Sequence, residues 1–141
     1  MAKLPAPILK RKCLGTFLIF HLPAIAYAAL IYYVSSLPDI HPPSFGTGWD
    51  DKIYHFGEYA VFSFFIYIAL KYYRNGFIVR HIHFWSATIA CLFAVSDEIH
   101  QYYVPGRDAT YGDLLADCLG CIFIQIFLIL ILRFIRQKRI D

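Results

Sequence analysis

The stretch SDEIHQYYVPGRDATYGDLLADCLG, residues 96–120, decides how this chain is read. It sets Asp97, Glu98, Asp108, Asp113 and Asp117, together with His100, Gln101 and Arg107, between two long apolar runs. Ionisable groups this close to lipid are costly and face a protein interior or a wet cavity, which makes them functional candidates. Asp97, Glu98 and Gln101 close one run, and Asp113 and Asp117 open the next. Between them Val104-Pro105-Gly106 breaks a helix. Thr110-Tyr111-Gly112-Asp113 then has the spacing of a capping box, with Asp in place of the usual Glu.

Composition agrees with a membrane setting. Of the 141 residues, 59% are hydrophobic and only 16% charged. A soluble domain carries apolar residues at about half and charged ones at about a quarter. Here the apolar residues form four runs of roughly 18–22, each long enough for a bilayer core of about 30 Å. The expectation is an all-α integral membrane bundle of four transmembrane helices in a single domain over residues 1–141. The spans fall at about 13–34, 54–73, 78–101 and 111–132. A net charge of +3 gives no sign of a nucleic-acid partner. Ala26-Tyr27-Ala28 resembles a signal-peptidase site, but the apolar run continues through Val34, longer than an ordinary signal core. An uncleaved anchor is expected.

The thirteen basic residues sort by side. Lys3, Lys10, Arg11 and Lys12 precede the first run, Lys71, Arg74 and Arg80 separate the second and third, and Arg133, Arg136, Lys138 and Arg139 follow the fourth. Only Lys52 and Arg107 stand elsewhere. The positive-inside rule therefore predicts both termini in the cytoplasm and the acidic stretches on the outer face.

Taking the chain in order, His21 and Pro23 predict a kink in the first helix, and Ser35-Ser36-Leu37-Pro38 ends it. The loop of residues 38–50, with three Pro counting Pro38, two Gly, Phe45 and Trp49, is expected to lie on the membrane surface or to cover the site. At about 100° per residue, Asp51, His55 and Glu58 form a polar stripe on the second helix, with Lys52 beside it. Asp50 and Asp51 also suit a helix N-terminus, but Glu58 stands too deep for that reading. On the third helix Asp97, Glu98 and Gln101 share a face from which His100 diverges; on the fourth, Asp113, Asp117 and Gly120 align. Gly120 lets a second backbone approach. Gln125, deeper, is expected to bond across helices. Cys13, Cys91, Cys118 and Cys121 lie in or beside the spans as small packing residues, Cys118 and Cys121 having CxxC spacing but no second pair.

The pooled set Asp51, Lys52, His55, Glu58, Asp97, Glu98, Gln101, Arg107, Asp113 and Asp117 admits three readings. A structural network would fix helix register, although acids outnumber bases. A ligand site would take a lipid or lipid-linked headgroup, with Arg107 before a helix N-terminus suited to phosphate or carboxylate. No resident cofactor is expected, though a divalent cation bridging carboxylates to phosphate fits that reading. A third reading is catalysis on a lipid headgroup, as a hydrolase or transferase with His55 and Glu58 or Glu98 as base. The chain lacks HExxH, Gly-x-Ser-x-Gly and P-loop signatures. No feature fixes the oligomeric state.

Several of these pieces occur together in a known order. Ser35-Ser36-Leu37-Pro38, Asp51-Lys52 with His55, Phe56 and Glu58-Tyr59, Glu98 with Gln101, Pro105-Gly106-Arg107, Asp113 and Gly120 resemble the VanZ-like family of small bacterial membrane proteins. The pattern often has Asn where this chain has Asp117, and Gly where it has Ile124. The resemblance implies a multi-pass plasma-membrane protein, the family being named for a member linked to teicoplanin resistance. A site for a lipid-linked envelope precursor or an amphiphilic glycopeptide would accord with it.

Overall fold

The computed structural model describes residues 15–39, 43, 46–72 and 76–139. The basic amino-terminal tail and Cys13, Phe45 of the outer loop, and Arg74 with Asn75 of the inner turn lie outside the described residues. Among the described residues the protein is all-helical. Residues 15–20 are helical and lead into α1 (Leu22–Ser35). Then come α2 (Asp50–Lys71), the short α3 (Gly76–Arg80), α4 (Ile82–Tyr102) and α5 (Tyr111–Gln137).

Three helices, α2, α4 and α5, are long and apolar enough to cross a membrane. At 1.5 Å per residue even the shortest is about 30 Å long, which matches a bilayer core. α1 has 14 residues and falls short alone. Pro23 explains the break before it, because proline has no N–H to give the carbonyl of Ile19 and the ladder loses a rung. The bonds from His21 N to Phe17 O (2.9 Å) and from Ile25 N to His21 O (3.2 Å) carry the helix across the gap. The run expected from Ile78 divides into α3, a turn at His81, and α4. α5 continues past Leu132, so Arg133 and Arg136 ride on the helix itself.

Contacts fix alternating helix directions. At one end Ser35 of α1 meets Asp97 of α4, and Lys52 of α2 meets Asp113 of α5. Towards the other, Phe20 stacks on Tyr72 and Tyr67 on His83. The core between these ends holds Ile31, Tyr59, Phe62, Ala90, Ala94 and Cys121. Small residues at the seams let the backbones close in, which compensates for the missing hydrophobic drive between helices in lipid. Outward-facing Leu92, Ile99, Phe123 and Leu130 are exposed on the bundle, as lipid-facing side chains should be.

The turns obey their sequence signals. Arg107 N bonds Val104 O at 3.2 Å across Pro105-Gly106, and Gly106 has φ 76°. That is the arrangement in which proline presets the first central residue and glycine takes the positive φ of the second. A Cβ on Gly106 would also strike the Asp39 side chain, so the two loops at this end pack against each other.

Candidate functional site

Polar side chains from α1, α2, α4 and α5 gather at the Ser35–Asp113 end of the bundle. Thr110 caps α5: its Oγ1 accepts from Asp113 N at 3.3 Å and donates to Asp113 Oδ2 at 2.6 Å. The capping-box spacing thus orients Asp113, whose Oδ1 receives Lys52 Nζ at 2.7 Å. Asp113 is therefore both a cap residue and the buried half of a partly exposed ion pair.

Asp97 is satisfied by three neutral donors. Ser35 Oγ donates to Oδ1 at 2.6 Å, and Tyr59 OH and Gln101 Nε2 donate to Oδ2 at 3.2 and 3.0 Å. Ser35 and Tyr59 are site-building residues that periodicity did not single out, because each looks like an ordinary end or core residue of its own helix. His100, which diverges from that face as expected, turns to α1 instead. Its Nε2 lies 2.9 Å from Ser36 Oγ and its ring stacks on Tyr32.

His55 is the centre of the constellation. Its Nδ1 lies 3.0 Å from Asp117 Oδ1 and 3.9 Å from Glu98 Oε1, and its Nε2 lies 3.9 Å from Asp51 Oδ1. Asp117 is fully buried and Glu98 is 8% exposed. Glu98 Oε1 and Asp117 Oδ2 are buried with no hydrogen-bond partner. Buried polar atoms are nearly always paired, so two orphans in one place call for a physical account.

Arg107 is used differently from a headgroup anchor waiting for its ligand. Its Nε donates to Leu37 O at 3.1 Å and a terminal nitrogen to Val34 O at 2.6 Å. These are carbonyls at the C-terminus of α1, where a cation is favoured by geometry and dipole alike. The same side chain lines a groove of about 550 Å³ with Tyr27, Asp51, His55 and Glu58. Glu58 makes no hydrogen bond or ion pair among the described residues. Glu98 faces a separate groove of about 660 Å³ between α4 and α5, lined also by Tyr102 and Thr110.

The ten pooled residues therefore fall into linked groups. Lys52 and Asp113 pair; Asp97 accepts from Gln101 and from Ser35 of α1; Asp51, His55, Glu98 and Asp117 converge; Glu58 and Arg107 share a groove. Deeper in the bundle, Gln125 bonds Ser63 and meets His83 Nδ1 at 2.9 Å, fulfilling its expected cross-helix role. Cys91, Cys118 and Cys121 are free.

Helices of membrane-spanning length around a buried polar cluster define a multi-pass membrane protein with its ionisable groups turned inward. Its family can be stated more closely. The chain belongs to the VanZ/LLP1 family, whose model matches residues 24–133. No curated protein and no solved structure matches it.

Proposed function

We propose that the protein spans the bacterial plasma membrane four times, with both termini cytoplasmic and the polar cluster towards the outer leaflet. There it binds the headgroup of a lipid-linked cell-envelope component or an amphiphilic glycopeptide, and through that binding contributes to teicoplanin-type resistance. The orientation is supported by the described basic residues Lys71, Arg80, Arg133, Arg136, Lys138 and Arg139, which stand at the end of the bundle opposite the acids. The observation that carries the binding reading is Glu58. Among the described residues its carboxylate has no hydrogen-bond or ion-pair partner, and it stands in a groove whose other walls include Tyr27, Val34, Ile53 and Val61. A charged group between apolar walls at leaflet depth suits a ligand with a polar head and a hydrocarbon tail. Glu58 takes hydroxyl or cationic groups of the head, while Arg107, held by the carbonyls ending α1, lends its positive charge to the same groove and favours a phosphate or carboxylate there without leaving those carbonyls.

The test is binding of a labelled lipoglycopeptide and of a labelled lipid-linked wall precursor to the purified protein in lipid nanodiscs. Glu58→Gln is expected to weaken capture of the true ligand at least tenfold while leaving thermal stability unchanged. Capture of neither probe, or equal capture by Glu58→Gln, overturns the reading. Release of a product from a lipid phosphate, stopped by Glu98→Gln, would replace it with the hydrolase or transferase reading.

A further inference from the structure

The cluster around His55 has more buried acceptors than the described residues have donors to fill them. Asp117 and Glu98 bring four carboxylate oxygens to a place served by one imidazole edge. Nδ1 of His55 has one proton at most, and Asp117 Oδ1 at 3.0 Å is its nearer partner. That leaves Glu98 Oε1, 3.9 Å from the same nitrogen, and Asp117 Oδ2 without donors. An uncompensated charge in a dry interior is costly, and Asp97 shows how this fold avoids it, with three donors to one carboxylate. Lys52 and Arg107 are committed elsewhere, to Asp113 and to the carbonyls ending α1.

We propose that His55, Glu98 and Asp117 bind one divalent transition-metal cation of the zinc or manganese type. One ligand atom from each lies within 4.8 Å of those of the other two, drawn from three helices. Two carboxylates and a neutral imidazole match a dication in charge, so the ion removes the imbalance that the protein leaves. One nitrogen with two carboxylate oxygens suits zinc or manganese better than calcium or magnesium, which take oxygen ligands. With Nδ1 on the ion, Nε2 carries the proton and Asp51 Oδ1, 3.9 Å away and beyond direct hydrogen-bond reach, is the outer carboxylate nearest to it. Three protein donors leave a position for water or an anionic oxygen, and the groove at Glu98 reaches the cluster from the α4–α5 side. A second grouping, Asp51, His55 and Asp113, also has ligand spacing. It is the weaker site, because Asp113 is already held by Lys52 and Thr110 and the Asp51 side chain is half exposed. This inference stands apart from the identity of any amphiphile.

The full chain, purified in detergent and stripped with EDTA, is re-equilibrated with zinc alone and with manganese alone, and metal per protein is measured. One equivalent is expected for one of the two ions, with affinity at least tenfold lower in Glu98→Gln and in Asp117→Asn. The exposed Asp108→Asn is the control and keeps wild-type uptake. Should either cluster variant fail to fold, X-ray absorption on the loaded wild type decides. A shell of one imidazole nitrogen with oxygens supports the site; sulfur ligands from Cys91, Cys118 or Cys121 overturn it. Absence of a bound equivalent, or uptake equal in wild type and both cluster variants, also overturns it.

Discussion

Gly120 on α5 sits so close to the carbonyl of Phe56 on α2 that a Cβ at Gly120 would collide with that oxygen. The next obstacles are the Phe56 carbonyl carbon and the Ala60 nitrogen, which are backbone and cannot rotate aside. This contact sets how near α2 comes to α5, and hence the reach from His55 to Asp117.

Gly120→Ala should therefore separate the two helices. Overpacking a close-fitting interior costs about 1–3 kcal/mol. The expected outcome is a lowered unfolding midpoint in detergent, together with a larger loss of ligand capture than stability alone explains.

Lys52 and Asp113 should behave asymmetrically. The Asp113 side chain is 2% exposed and that of Lys52 33%. Removing the lysine strands a buried carboxylate, whereas Asp113→Asn keeps the acceptor for Thr110 and lets Lys52 swing to solvent. Lys52→Met is thus expected to destabilise more than Asp113→Asn. Their double variant should recover part of the loss, with a coupling of about 0.5–3 kcal/mol in a thermal-unfolding cycle.

Ser35→Ala tests the docking of α1. It takes one donor from buried Asp97, and a hydrogen bond to a charged group is worth about 1.5–3 kcal/mol. Arg107→Ala should loosen the same helix end by freeing the Val34 and Leu37 carbonyls. A fall in the unfolding midpoint for both, against none for Glu58→Gln, would separate residues that build the site from one that faces the ligand.

Gln125→Leu should be milder than Gly120→Ala. Polar bonds between membrane helices average about 0.6 kcal/mol and reach about 1.7. A midpoint loss as large as that of Gly120→Ala would mean that the Ser63–Gln125–His83 group is a principal tie of the bundle.

Orientation is checked by reporter fusion and cysteine labelling. A fluorescent protein fused after Gln137 should fluoresce in the cytoplasm, and a cysteine at Thr47 in a cysteine-free background should react with an impermeant maleimide from outside. The reverse pattern would put the polar cluster on the inner face.

Much of this molecule was legible in the chain itself because the relevant physics is local. Long apolar runs dictate helices in lipid, Pro105-Gly106 forces a turn, Thr110 and Asp113 start α5, and a helical period of 3.6 aligns Asp97 with Gln101 and Asp113 with Gly120. The family was legible for the same reason, through motifs of fixed spacing. The partner of each polar group was not, because it depends on how helices rotate and approach across tens of intervening residues. Only the tertiary structure could assign Asp97 to Ser35 and Tyr59, give Arg107 to the end of α1, and leave Glu98 and Asp117 sharing one imidazole. Sequence period fixes which face of a helix a side chain occupies; packing at Gly120 and the other small residues decides what that face meets.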